Sequence, residues 1–258
     1  MSSALINALI KSISPEKICV SNRTNEKAEK LSKETGCKCF YNNKDVLESS
    51  EIIVLGIKPQ NLSDFFNNER EYINKENNQT FVTMAAGVTT EKINNLAEDE
   101  FPVIRIMPNT PVSISEGVVL VTKNDLVKNN IFNEFLDDFK GAGTLVKISE
   151  DLIDAGSVIS GCSPAYIYMY IEALKKAGIS LGLDPDTAEL LSKETVRGTA
   201  GLSIKSDKSL ETLRKDVCSP GGTTIEGVKS LNESNLDEIV KKALEAAYKR
   251  TLELKSND

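Results

Sequence analysis

The sequence predicts an α/β fold with a doubly wound, largely parallel sheet up to about residue 150, followed by an all-α half. Two patterns carry the prediction. Between residues 17 and 148, seven short apolar runs alternate with amphipathic helical segments, which is how βαβ units read. From residue 151 on, apolar residues recur at helical spacing and no run reads as a strand.

The strand-like runs are KICVS (17–21), CKCFY (37–41), EIIVLGI (51–57), TFVTMA (80–85), PVIRIM (102–107), GVVLVT (117–122) and GTLVKI (143–148). MSSALINALIKS, ahead of the first run, reads as a helix, as do NEKAEKLSKETG, NLSDFFNNEREYI and NDLVKNNIFNEFLDDF between later ones. In the second half Pro185 opens a helix over about 186–206, because proline is tolerated at a first helical position. SLETLRKDV gives a short helix, PGGTTIEGVKSLN another, and residues 235–255 the last. SPAYIYMYIEAL is apolar most of the way round, with Tyr166, Tyr168, Met169 and Tyr170 too dense for one narrow face. Such a helix is buried inside a bundle or between subunits.

Composition excludes several classes. The 258 residues carry a net charge of −7, which disfavours nucleic acid, since binding phosphates needs clustered Lys and Arg. The longest apolar stretches, such as IIVLGI at 52–57, fall well short of the ~20 residues that span a bilayer. With no secretion signal, a cytoplasmic location is expected. The absence of His removes Ser-His-Asp and Cys-His catalysis and most zinc sites, so no metal is expected. Cys19, Cys37, Cys39, Cys162 and Cys218 are odd in number and lack paired ligand spacing, which predicts free thiols in a reducing compartment.

In open α/β sheets ligands bind beyond the carboxyl ends of the strands. The residues there are Ser21-Asn22-Arg23-Thr24, Tyr41-Asn42-Asn43, Gly56-Ile57-Lys58-Pro59, Ala85-Ala86-Gly87 and Met107-Pro108-Asn109-Thr110-Pro111. Small, amide, hydroxyl and cationic groups of this kind suit a nucleotide. An acidic strand tip would bind a ribose 2′-hydroxyl, whereas Ser21, Arg23 and Thr24 favour a 2′-phosphate and so NADP over NAD. The two prolines of RIMPNTP hold an extended loop rigid and present the Asn109 amide. Each feature also has a plain reading: Arg23 as a solvated charge, Lys58-Pro59 as a helix-starting turn, AAG as close packing, and RIMPNTP as a structural turn.

CSPGGTTIEGV (218–228) is the sharpest feature of the second half. Ser219 can cap a helix, Pro220 suits its first turn, and Gly221-Gly222 let an anion approach backbone N–H groups. Thr223 and Thr224 add hydroxyls beside that pocket, which fits a small carboxylate bearing a nitrogen. The plain alternative is a tight turn.

Together these stretches resemble the Δ1-pyrroline-5-carboxylate reductase family from residue 1 to about 254. The most specific elements are RIMPNTPVSISEGV, SGCSPAYIYMYIEALKKAGISLGL and SPGGTTIEGV. The resemblance implies a Rossmann-like dinucleotide-binding domain over 1–150. Residues 151–258 would form an all-helical dimerisation and substrate domain that interlocks with a second copy, as a homodimer or a ring of dimers. It implies reduction of the cyclic imine to L-proline, the last step of proline biosynthesis, with NADP(H) preferred and NAD(H) the alternative cofactor. Carried over by position, Met1, Ser21, Asn22, Arg23, Asn43, Ile57, Lys58, Pro59, Ala85, Ala86, Gly87 and Asn109 bind cofactor. Ser219, Gly221, Gly222, Thr223 and Thr224 bind substrate, with Thr224 as the catalytic hydroxyl facing the ring nitrogen. SGCSPAY departs from the family's usual Ser-Gly-Ser-Gly-Pro, but Cys162 and Ser163 are small enough for little effect.

No G-x-G-x-x-G occurs in the sequence, and Met1 falls where the family's phosphate loop runs into its first helix. The expectation is a Rossmann unit without its first strand and glycine-rich turn. Because that strand lies centrally, both the sheet and the pyrophosphate site should be damaged. Two other readings follow: a cofactor-deficient, non-catalytic dimeric homologue, and an NADP-dependent reductase of similar architecture acting on a different imine or hydroxy acid.

Overall fold

A computed structural model of the chain describes residues 1–73 and 79–256, with side chains to 253. It contains α1 (Ser2–Leu9), β1 (Cys19–Val20), α2 (Asn25–Thr35), β2 (Lys38–Cys39), α3 (Asn43–Ser49) and β3 (Ile52–Leu55). These are followed by α4 (Leu62–Glu69), β4 (Thr80–Thr83), α5 (Thr90–Ala97), β5 (Val103–Pro108), β6 (Gly117–Lys123), α6 (Asn129–Phe139) and β7 (Gly143–Lys147). The helices α7 (Glu150–Ser157), α8 (Ser163–Ser180), α9 (Pro185–Lys205), α10 (Leu210–Asp216), α11 (Thr223–Glu233) and α12 (Leu236–Ser256) complete it. A π-helical turn, Val158–Cys162, joins α7 to α8.

Local signals place these boundaries. Gly36 adopts the left-handed conformation (φ 81°) that ends α2. The Asn42 side-chain oxygen Oδ1 accepts the Asp45 N–H to start α3, and the Thr89 hydroxyl accepts the Lys92 N–H to start α5. Every predicted strand is present, most of them shorter than the apolar run, while β5 is as long as its run and β6 is longer.

The sheet is described in two pieces, a parallel pair β1-β2 and a five-stranded sheet in the order β3-β4-β5-β6-β7. All neighbours are parallel except β5 and β6, which are antiparallel. Among the described residues no strand links β1 to β3. The Cys19 thiol lies 3.1 Å from the Ser50 hydroxyl, just ahead of β3.

Strand side chains alternate between two cores, which is what a sheet covered on both faces requires. Val82, Ile104, Ile106, Val119 and Val121 pack with Leu5, Ala8 and Leu9 of α1 and the phenylalanines of α6. Ile53, Leu55, Phe81 and Val103 face the other way, against Leu47 of α3, Leu62 and Phe66 of α4, and Ile93 of α5. Phe81 is fully buried and meets Phe66 and Phe101 edge-on, at 5.5 and 5.3 Å between ring centroids. Truncating it to alanine would cost roughly 3–5 kcal/mol. Where β7 begins, Gly143 (φ +124°) lies so close to β6 that a Cβ would sit 2.2 Å from the Gly117 carbonyl oxygen.

The chain forms two compact units. One comprises Met1–Gly161 with the chain from Tyr248 onward, the other Cys162–Ala247. Secondary structure becomes wholly helical at α7, yet α7 belongs to the first unit. In the second unit α8 pairs with α9, whose start is capped by the Asp184 carboxylate accepting the Thr187 N–H. No residue of α8 is buried in the single chain, so of the two expected covers for this helix, a bundle interior or a second subunit, the first is not what the single chain provides. Tyr168, Met169 and Tyr170 are 59%, 67% and 47% exposed. A two-helix pair covers only one stripe of each helix, and the apolar side chains around the rest stay open. The five cysteines are unpaired thiols. Among the described residues no helix is long and apolar enough to cross a membrane.

Candidate active site

The predicted cofactor residues all fall in the first unit, Met1 at the start of α1 and the others beyond strand ends. Ser21 follows β1 and donates its hydroxyl hydrogen to Asn43 Oδ1 at 2.7 Å. Asn43 opens α3 and donates from Nδ2 to Glu69 Oε1 at 2.8 Å, at the last residue of α4. Asn22 folds back, its side-chain oxygen accepting the Thr24 N–H, and Arg23 is exposed beside it. The Tyr41 phenol, beyond β2, is pushed above its ordinary pKa by its hydrogen bond to Glu29, so it stays neutral.

After β3 the chain turns at Gly56, where a Cβ would meet the Ser2 hydroxyl at 2.5 Å. The first turn of α1 therefore closes on the carboxyl end of β3. Met1 is its N-cap and provides no side-chain hydrogen bond, which leaves first-turn N–H groups to bind an anion. Ile57 and Lys58 lead into a 3-10 turn, Pro59–Asn61, with Pro59 in its first position, and so into α4. Ala85 is buried, Ala86 is exposed and Gly87 adopts φ +77°, a tight turn between β4 and α5. Small side chains and positive φ bring backbone to the surface here, as close approach by a dinucleotide requires.

Asn109 behaves differently from the expectation that the rigid loop presents its amide. It is 8% exposed, donates from Nδ2 to the Ser160 carbonyl at 3.0 Å, and accepts the Val118 N–H at 2.9 Å. The amide is thus a brace between β6 and the π-helical turn after α7. The loop is rigid for that reason as well as for its prolines.

Sequence reasoning missed the ionic junction below this loop. Arg105, on β5, is fully buried, and its Nη2 donates to Asp154 Oδ1 at 2.5 Å, while Glu150 Oε1 lies 3.7 Å from Nη1. Glu150 accepts both the Thr90 N–H and the Thr90 hydroxyl, at 2.7 and 2.6 Å. The junction ties the start of α5, directly after the Ala85–Gly87 turn, to α7. A lone arginine inside the apolar run PVIRIM is the signal that could have found it, because a buried charge must have a partner.

The predicted substrate residues gather in one turn of the second unit. The Gly222 N–H donates to the Ser219 carbonyl at 3.0 Å, and Gly221 sits at φ +71°. Helix α11 starts at Thr223, later than Pro220, and its N-cap is Gly222 with no side-chain hydrogen bond. Ser219 therefore closes the turn through its carbonyl and does not cap the helix. A Cβ at Gly222 would meet the Ser219 hydroxyl at 2.5 Å. Thr223 and Thr224 occupy the exposed first turn of α11, next to backbone N–H groups that no side chain caps. Two hydroxyls and a bare helix start can hold a small carboxylate and one further polar atom.

A family model described as pyrroline-5-carboxylate reductase dimerisation matches residues 150–254, and one described as NADP oxidoreductase, coenzyme F420-dependent, matches residues 1–87. The chain is 33% identical to pyrroline-5-carboxylate reductase 2 of Bacillus subtilis (strain 168), over 99% of this chain and 92% of that protein. It is 31% identical to the pyrroline-5-carboxylate reductase of Corynebacterium melassecola, over 97% of this chain and 94% of that one. Among solved structures it is similar to a pyrroline-5-carboxylate reductase from Coxiella burnetii, with a TM-score of 0.91, 32% identity, and coverage of 98% and 94% of the two chains. It is also similar to the Plasmodium falciparum pyrroline carboxylate reductase with NADP bound, with a TM-score of 0.86, 27% identity and the same coverage.

Proposed function

Because the chain belongs to the pyrroline-5-carboxylate reductase family, we propose that it reduces the cyclic imine 1-pyrroline-5-carboxylate to L-proline, the last step of proline biosynthesis. It is an oxidoreductase of the CH–NH group with a nicotinamide cofactor, NADP(H) in preference to NAD(H). The observation that carries the substrate assignment is the turn Ser219–Thr224. Its Gly221 in the left-handed conformation, uncapped helix start and two exposed threonines match a carboxylate with a ring nitrogen beside it. No observation favours the non-catalytic reading.

The residues present fit a dinucleotide. Met1 and the first turn of α1 would hold the pyrophosphate, with Ile57, Lys58 and Pro59 beside it. Ser21, Asn22, Arg23 and Asn43 would hold the adenosine end, and Ala85, Ala86 and Gly87 would admit the chain of the cofactor against backbone. Asn109 serves the reacting end by keeping its loop rigid. When bound, the cofactor supplies the hydride that reduces the imine carbon. The protein's own part is to hold and orient. Ser219, Gly221, Gly222 and Thr223 fix the carboxylate, and the Thr224 hydroxyl hydrogen-bonds the ring nitrogen and passes it a proton from water. A protonated imine is already a strong electrophile, so positioning is most of the task and a chain without His can perform it.

Residues 1–150 act as the dinucleotide-binding domain and 151–258 as the dimerisation and substrate domain. The exposed apolar side chains of α8 and α9 are covered by a second copy, in a homodimer or ring of dimers, and the enzyme works without metal in the cytoplasm. Titration of NADPH fluorescence, and NADPH oxidation with pyrroline-5-carboxylate, test the reading. Saturable binding and substrate-dependent oxidation are expected. Binding without oxidation removes the imine assignment, and absence of both removes the enzyme.

A further inference from the structure

The chain of hydrogen bonds at the tip of β1 points to a residue that sequence reasoning did not single out. Glu69 ends α4, half-buried, and accepts from Asn43 Nδ2 at 2.8 Å. Among the described residues no Lys or Arg pairs with it, so its described partner is an amide N–H. We propose that Glu69 is a positioning residue for the adenosine end of the dinucleotide, setting the direction of hydrogen bonding through Asn43 and Ser21. The proposal rests on the assignment of that end of the cofactor to Ser21, Asn22, Arg23 and Asn43.

An asparagine amide can turn over, exchanging its oxygen and nitrogen at little cost, unless a neighbour tells them apart. A carboxylate accepts only, so Glu69 admits only the NH2 end of Asn43. The Asn43 oxygen is then fixed toward Ser21, whose hydroxyl spends its single hydrogen on it at 2.7 Å. Ser21 Oγ is left with lone pairs only. It therefore meets a ligand as an acceptor, which suits a ribose hydroxyl and rejects a phosphate oxygen, contrary to the expectation that Ser21 helps to bind a 2′-phosphate. The 2′-phosphate is left to Arg23, two residues on. Without the carboxylate the amide turns freely, the Ser21 hydrogen is no longer committed, and ribose meets a mixture of donors and acceptors. The same bonds join the end of the β1-β2 pair to the helix that follows β3, so the geometry spans both pieces of the sheet.

The test is steady-state kinetics and NADPH fluorescence titration on Glu69→Ala, Glu69→Gln and Ser21→Ala, each checked for native circular dichroism and melting temperature. Glu69→Ala should raise the KM and Kd for dinucleotide roughly three- to ten-fold, the effect of one lost hydrogen bond, with kcat and the KM for imine held. Glu69→Gln should restore only part of the affinity, because its amide can accept from Asn43 or donate to it and so no longer fixes which end faces Ser21. A merely structural glutamate would instead lower the melting temperature of both variants without a selective change in dinucleotide KM. If Ser21→Ala weakens dinucleotide and Glu69→Ala does not, the positioning role is overturned and the cofactor assignment stands. If neither substitution changes dinucleotide affinity, the assignment of the adenosine end fails as well.

Discussion

Arg105 and Asp154 meet in the interior of the first unit, a fully buried guanidinium donating to a nearly buried carboxylate at 2.5 Å, from residues 49 apart in sequence. Such a pair adds little over a well-packed apolar replacement, but losing Asp154 leaves the buried guanidinium with the more distant Glu150, 3.7 Å away, as its described ionic partner. Asp154→Ala should therefore destabilise the enzyme by roughly 3–5 kcal/mol in urea denaturation. The double variant Arg105→Met/Asp154→Leu should recover much of this. A double variant no more stable than Asp154→Ala would show that the pair is not what holds α7 to β5.

Arg23 is, among the described residues, the cation at the tip of β1, exposed and beside the Asn22 turn. Arg23→Ser should raise the KM for NADPH by at least about ten-fold while leaving that for NADH nearly unchanged, since a charged hydrogen bond is worth ~1.5–3 kcal/mol. The ratio of the two specificity constants is the measurement. Equal effects on both cofactors would count against recognition of a 2′-phosphate.

In the substrate turn, Thr224→Ala should lower kcat/KM for pyrroline-5-carboxylate at least ten-fold, with Thr224→Ser retaining most activity. Gly221→Ala acts through the backbone instead. Its Cβ would enter open space, so the penalty comes from φ +71° alone, about 1 kcal/mol. A raised KM for imine at unchanged NADPH affinity is expected. An unchanged kcat/KM in Thr224→Ala would remove the catalytic role.

Glu189 links Lys175 of α8 to Lys193 of α9, and hydrogen bonds to these two lysines lower its pKa from 4.5 to about 2. The folded state thus favours the ionised form, and stability from this group is full above pH 4.5 and lost as pH falls toward 2. Wild type should lose melting temperature faster than Glu189→Gln across that acid range, and the difference should shrink at high salt because the group is exposed.

The sequence by itself determined the kind and order of the elements, because periodicity of 2 or 3.6 and the caps at Gly36, Asn42 and Thr89 act over a few residues. It also placed the turn Ser219–Thr224, whose form follows from Gly221 and Gly222, although the point where α11 begins was misplaced by three residues. Apolarity of α8 showed that this helix needs a cover, and only the structure showed that its own chain does not supply one. Tertiary structure alone decided the antiparallel entry of β6, the partners of Arg105, the inward turn of the Asn109 amide and the meeting of Asn43 with Glu69. These join residues 26 to 51 positions apart or further elements of the sheet. Their stability comes from desolvation and donor–acceptor geometry, which no local pattern encodes.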